Sequence, residues 1–241
     1  MYMNYSIIKD EKLLDSFIEW LPELAEDECY YLCLFARSKY AKNEDGSNKF
    51  PHIKTDKAQL KRITVHKKSL MKDKIRQMEC AFGSYKTKDG ENIPQEALAL
   101  YITPNPRSQR KAMFNLIKRI ADIQVANATG YNIHAEAMSA IQKCKSRACF
   151  IDFDIDFPEG ENIYLDPLKF FIEENVGIKG IHYLRTRGGY HVLVEPSKID
   201  KQFEKTWYKS ITKHPYVDIK GDAMIPVPGC TQGNFIPHFE N

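Results

Sequence analysis

The sequence predicts a mixed α+β protein. Two observations carry this: apolar runs of strand length are separated by segments with helical periodicity, and two of those runs, at 181–184 and 190–194, bracket a Gly-Gly turn as a hairpin would. The chain has 241 residues, 43% apolar and 28% charged, with no internal repeat and no low-complexity tract. That is enough for one large domain or for a core with a smaller lobe attached.

In chain order, Leu13, Leu14, Phe17, Ile18 and Leu21 recur at helical spacing and predict an amphipathic helix over 11–21. The continuous apolar run CYYLCLFA (29–36) fits a buried strand or a buried helix, and AKNEDGSN (41–48) is a loop by composition. Short helices are expected near 56–63 and 67–79, followed by a loop in KTKDGENIP (86–94). ALALYI (97–102) reads as a strand that stops at TPNPR (103–107). Ser108 is placed to cap a helix running through Met113, Leu116, Ile117, Ile120 and Ile123, and a second helix follows from Ile133 to Lys143. Beyond the strand within ACFIDFDIDFP (148–158), helices are expected near 166–175 and over 201–213, and MIPV (224–227) forms a short strand. The break at 80–95 divides an N-terminal lobe, residues 1–90, from a core over 91–241, with a soft boundary.

The net charge of +3 hides an uneven distribution. Asp10, Glu11, Asp15, Glu19, Glu23, Glu26, Asp27 and Glu28 face only Lys12 across 10–28. Lys49, Lys54, Lys57, Lys61, Arg62, Lys67, Lys68, Lys72, Lys74 and Arg76 are then opposed only by Asp56 and Asp73. Such a basic block suits a polyanionic partner, and equally a solvated surface. No apolar run reaches the roughly 18 residues a membrane span needs, and the first residues lack a secretory layout, so the expectation is a cytoplasmic protein with no membrane partner. The six cysteines form no C-x-x-C pair and the seven histidines do not fall at zinc-finger spacing around them, so no structural zinc is predicted.

Three segments carry chemistry. In ACFIDFDIDFP, strand alternation puts Asp152, Asp154 and Asp156 on one side and Ile151, Phe153, Ile155 and Phe157 on the other. Neighbouring carboxylates on that face stand roughly 7 Å apart, a spacing at which they converge on divalent cations. An exposed polar strand face would carry mixed Lys, Thr and Glu instead of three short acids. In LRTRGGYHVLV (184–194), Arg185, Arg187, Gly188 and Gly189 precede His191, a combination suited to holding phosphates with cationic side chains and backbone N–H groups. In HPYVDIKGDAMIPVPGCTQGNF (214–235), Asp218 and Asp222 add two acids beside a Pro-Gly turn, although Asp, Gly and Pro also favour plain surface turns.

In this order the three segments resemble the archaeo-eukaryotic primase superfamily of primases and primase-polymerases. IDFD (151–154) matches its apolar strand ending in D-x-D. GYH (189–191) matches its small-x-His motif, VD (217–218) its apolar-acid motif, and VPGCT (227–231) a Pro-Gly turn seen in phage and plasmid members. TPNPR (103–107) is similar to a segment ahead of the first motif. The likeness covers about 95–241. It implies a primase-type catalytic core with an RRM-like mixed sheet, preceded by a helix-rich basic lobe. It further implies a phage or mobile-element replication protein that makes or extends primers on a single-stranded DNA template from NTPs or dNTPs.

Residue by residue, the likeness makes Asp152, Asp154 and Asp218 ligands for two Mg²⁺ or Mn²⁺ ions, with Asp222 competing for the third place. His191 would contact the incoming triphosphate with Arg185, Arg187, Gly188 and Gly189, while Arg107 would meet template or nucleotide and Thr231 the substrate. Asp156 is a supporting acid, and the basic block would track the template. No helicase-type phosphate loop occurs, so unwinding would come from a separate helicase. Two other classes stay open: a D-x-D sugar transferase, which needs neither the histidine nor the basic lobe, and a non-catalytic replication-initiator or single-strand-binding module.

Overall fold

A computed structural model describes residues 4–43, 45–50, 53, 58–127, 129–156, 172, 179–213 and 216–240. The protein is an α+β fold with two five-stranded sheets whose pairings are all antiparallel. The α+β class expected from the sequence holds, while the mixed strand directions implied by the resemblance are not seen among the described residues.

Helix α1 (Glu11–Trp20) starts where the Asp10 carboxylate accepts from the backbone N–H of Lys12 and Leu13, and it buries Leu14 and Phe17. The run after it is strand β1 (Glu28–Ala36), with all nine residues buried. It lies in the middle of the first sheet, between β2 (Ala58–Val65) and β3 (Leu98–Ile102), covered on both faces, which accounts for a continuous apolar run in place of an alternating one. Two short strands complete the sheet: β4 (Arg107–Ser108) against the start of β1, and β9 (Ile225–Pro226) against the end of β3.

Strand β2 replaces the helix expected near 56–63. Its residues are half-buried along nearly the whole length, as suits an edge strand, and pairing with β1 overrides the helical preference of its lysine, arginine and glutamine. The helix expected over 67–79 shrinks to a 3-10 turn (Lys68–Leu70) and α2 (Met71–Arg76). This segment packs its cations against the acidic run: Lys68 meets Glu23 at 2.8 Å, Lys72 meets Asp15 at 2.5 Å, and Arg76 meets Glu11 at 2.7 Å. The two opposite charge blocks of the sequence thus partly neutralise one another.

The first sheet takes β1 and β2 from before residue 90 and β3 and β9 from after it. Helix α3 (Gln109–Val125) is capped by Ser108, whose hydroxyl accepts from Lys111 N–H, and α4 (Ile133–Lys143) by Asn132. The buried side of α3 carries Ala112 and Ile123. Met113 and Ile117, expected in its apolar face, are 63% and 58% exposed, one step around the helix from the buried stripe. Among the described residues no helix is long and apolar enough to cross a membrane.

The second sheet has the order β10 (His238–Glu240), β6 (Ile181–Arg185), β7 (Gly189–Val194), β5 (Ile151–Asp156), β8 (Val217–Gly221). One face carries Phe153, Ile155, Tyr190, Val192 and Val194, packed with Trp207 and Ile211. Ile211 belongs to α5 (Tyr208–Ile211), which with the 3-10 turn Lys201–Phe203 is what forms of the longer helix expected over 201–213. The helix expected near 166–175 lies, apart from Ile172, outside the described residues. From the other face, Leu184 and Leu193 join the main core under the first sheet.

TPNPR joins the two sheets. Asn105 is wholly buried, and its Oδ1 accepts from the backbone N–H of Cys149 and Phe150 at 2.8 Å each. Its Nδ2 donates to Phe150 O and to Asp222 Oδ1, both at 2.9 Å. Arg107, 1% exposed, donates from Nη1 and Nη2 to the two carboxylate oxygens of Asp222 at 2.6 and 3.0 Å. The segment therefore fixes the entry to β5 and the exit of β8 at once. Arg107→Met leaves the Asp222 carboxylate without its cation, and a loss of about 3 kcal/mol of stability is expected, read as a lower urea midpoint at unchanged slope.

Candidate functional site

Alternation along β5 sets the site. Asp152, Asp154 and Asp156 occupy the face opposite Phe153 and Ile155, and their burial is graded: Asp152 is 1% exposed, Asp154 half-buried and Asp156 exposed. The row thus runs from the interior out to solvent. Directly beside Asp154 stand His191 on β7 and Asp218 on β8. Residues opposite one another in an antiparallel pair share a face, so three neighbouring strands each deliver one functional group to one place.

His191 Nδ1 lies 2.9 and 3.1 Å from the two oxygens of Asp152, and Nε2 lies 3.8 Å from Asp154 Oδ1. An ionised carboxylate only accepts, so Nδ1 carries the proton and Nε2 is the ring atom turned toward Asp154. Burial works to lower the His191 pKa, but the charge and hydrogen bond of Asp152, with the charges of Asp154 and Asp156, outweigh it and the net shift is upward. Asp154 is also shifted upward: burial raises it most, His191 and Lys220 pull it down, and Asp156 and Asp152 push it up. The Lys220 ammonium bonds the Asp218 carboxylate and sits 3.9 Å from Asp154 Oδ2. Lys220 escaped the sequence reading; its one signal was its place two residues beyond Asp218.

The hairpin before His191 is pressed onto β5. Gly189 is opposite Asp156, and a Cβ there would lie 1.8 Å from the Ile155 carbonyl oxygen. Glycine is needed because strand backbone approaches it, where the sequence suggested approach to a ligand. At Gly188 a Cβ would stand 3.4 Å from Asp156 Oδ1. Arg185 donates to Gly189 O at 3.1 Å and lies over the Tyr190 ring at 4.8 Å. Arg187 is exposed, its backbone N–H donating to Gln232 Oε1 at 2.9 Å.

The structure therefore gathers Asp152, Asp154, His191 and Asp218, with Arg185, Arg187, Gly188 and Gly189 in the adjoining hairpin. It takes Arg107 and Asp222 elsewhere, into the buried ion pair between the sheets. Thr231 is buried too, its hydroxyl donating to Gly233 O at 2.9 Å. Among the described residues no three His, Cys, Asp or Glu side chains form a ready-made metal cluster. All six cysteines are free thiols, four of them buried. Compared with family models, curated proteins and solved structures, the chain matches none.

Two outcomes follow from these contacts. Asp152→Asn removes the strongest upward influence on His191, so its imidazole pKa should fall, which an NMR titration of the ring protons reads directly. For Asp154, the raised native pKa means that the folded state keeps its proton to higher pH than the unfolded chain. Its stability contribution is most favourable below the unfolded value of about 3.9 and declines as pH rises through the native pKa. Asp154→Asn should match wild type in acid and melt higher at neutral pH when no divalent cation is added.

Proposed function

We propose that the protein is a template-dependent nucleotidyltransferase, a primase or primase-polymerase that makes or extends primers on single-stranded DNA. The observation that carries this reading is the flanking of Asp154 by His191 and Asp218 on adjacent strands. Residues from three separated motifs of the resembled superfamily meet in one row. The strand order is a second support: β5 to β8, numbered one to four in chain order, run 4-1-3-2 across the sheet, the RRM-like arrangement that the resemblance implies.

The donor set fits divalent cations in part. Asp154 and Asp218 offer hard carboxylate oxygens on one face, Asp156 extends the row to solvent, and the upward shift of Asp154, set first by burial and then by the charges of Asp156 and Asp152, is what a bound cation would offset. The Lys220 ammonium beside both carboxylates already supplies one positive charge there. Asp152 fits less well as a ligand, because both of its oxygens are turned to His191. In this reading Asp154 and Asp218 hold the metal and Asp152 orients the histidine. Mg²⁺ or Mn²⁺, when bound, would supply acidification of the attacking hydroxyl and charge neutralisation at the phosphates.

The chain's own residues do the rest. Asp152 fixes the ring of His191 and favours its protonated form, in which Nε2–H would donate to a triphosphate oxygen as negative charge develops. Arg185 and Arg187 add cationic donors from the hairpin. In the basic block, Lys68, Lys72 and Arg76 are engaged with acids of the same chain, so template contact there falls to cations such as Lys67 and Lys74.

One observation favours a second reading. Lys220 on Asp218 and His191 on Asp152 compensate the acids internally, as a non-catalytic initiator or single-strand-binding module would require. Primer synthesis on single-stranded DNA with NTPs or dNTPs and Mn²⁺ separates the two. Asp154→Ala, alone and with Asp152→Ala, should cut product at least about 100-fold. Equal products from wild type and both variants would remove the catalytic assignment, and strand binding without synthesis by any of them would favour the second reading.

A further inference from the structure

Beside the hairpin, one tyrosine collects three cations. Tyr40 ends the 3-10 turn Ser38–Tyr40 that follows β1, and its ring is 7% exposed. The Arg37 guanidinium carbon lies 5.2 Å from the ring centroid, Lys39 Nζ 5.8 Å and the Arg187 guanidinium carbon 5.2 Å. Arg37 and Lys39 come from the first sheet's exit, and Arg187 from the tip of the second sheet's hairpin. The cluster therefore spans the junction between the sheets.

The arrangement is built from several sides. The Tyr40 hydroxyl is 2.9 Å from the Tyr101 hydroxyl and receives a hydrogen bond from Gln232 Nε2 at 2.9 Å, while Arg37 Nη1 donates to Tyr101 at 3.0 Å. Gln232 Oε1 accepts the backbone N–H of Arg187, whose Nη1 donates to Tyr40 O at 3.1 Å. Gly233, at φ +67°, makes room: a Cβ there would stand 2.6 Å from Arg187 Nη1 and 3.0 Å from Tyr40 Cβ. Any larger residue would displace the guanidinium.

Each cation gains from the ring, but the three repel one another. Glu96, whose backbone borders Gly233, has its carboxylate on Lys49 at 3.1 Å. A multiply charged anion reaching Lys39 and Arg187 would be attracted by both, and a guanidinium fork matches phosphate oxygens. Lys39 and Arg187 are exposed, so such a group can reach them from solvent.

We infer that Lys39 and Arg187, both held against Tyr40, form a phosphate-binding site for the polyphosphate tail of a nucleotide or the backbone of a nucleic-acid strand. For Arg187 this deepens the transferase reading, whereas Lys39 extends recognition to the first sheet. Gln232 and Gly233 act as positioning residues for Arg187.

The test measures binding without turnover, so its failure is distinct from a failure of primer synthesis. The full chain is titrated with inorganic tripolyphosphate by calorimetry and with a fluorescent oligothymidylate by anisotropy. Wild type is compared with Lys39→Glu, Arg187→Gln and, as a control for net charge, Lys88→Glu on the 86–94 loop. A dissociation constant raised about tenfold for tripolyphosphate alone in the two cluster variants identifies a polyphosphate tail. The same rise for the oligonucleotide alone identifies a strand, and a rise for both supports a site that takes either. Wild type binding neither ligand, or cluster variants that behave as Lys88→Glu does, would overturn the inference. Lys39 is an exposed side chain, so Lys39→Glu keeps the test decisive if Arg187→Gln does not fold.

Discussion

The buried ion pair between Arg107 and Asp222 is the joint on which the two sheets depend. Arg107 sits in a strand of the first sheet and Asp222 just past β8 of the second, with Asn105 holding the entry to β5 in the same network. A guanidinium at 1% exposure needs its charge met, and Asp222 meets it at Nη1 and Nη2 while the buried Nε–H has no partner among the described residues, so the pair favours one relative placement of these segments. That placement is what brings the acid of β8 alongside the middle acid of β5. An apolar contact in its stead would permit sliding, and the registers of the strands around the acids would lose their common anchor.

Around that frame, charge is arranged by distance from solvent. Asp152 is deep and engaged by a histidine, Asp154 lies between partners of both signs, and Asp156 is wet. A carboxylate in water needs no partner, whereas one in the interior must have a specific one. The same residue type, three times in one strand, is therefore held to three different roles by depth alone. Lys220 and His191 bring positive charge to the two ends of Asp154.

Much of this was legible in the residues. Period-two alternation of Asp with Ile and Phe gave β5 and its two faces, and Ser108 and the apolar spacing gave α3. What periodicity could not decide, tertiary pairing did. CYYLCLFA is a strand because neighbours lie on both sides, and the Lys- and Arg-bearing segment at 58–65 is a strand because β1 offers it an edge. Sequence order also could not separate Asp218 from Asp222, four residues apart beside one turn. Only the register with Asp154 and the reach of Arg107 tell them apart. Arg107 was expected at template or nucleotide because the resemblance implied it, and an arginine after Asn-Pro carries no mark of burial to say otherwise. The cluster on Tyr40 was invisible for a similar reason, since its members are drawn from positions near 40, 101, 187 and 232.

The close approach of Gly189 to the Ile155 carbonyl has a mechanical side. In a regular ladder each Cβ projects above or below the sheet and clears the neighbouring strand; at Gly189 it would run into the Ile155 carbonyl. The hairpin tip bearing Arg187 thus rests on β5 like a rigid lever on a fulcrum. A load on that arginine is passed to the strand that carries the acids with almost no slack, and the two would be felt as one piece by whatever presses on either.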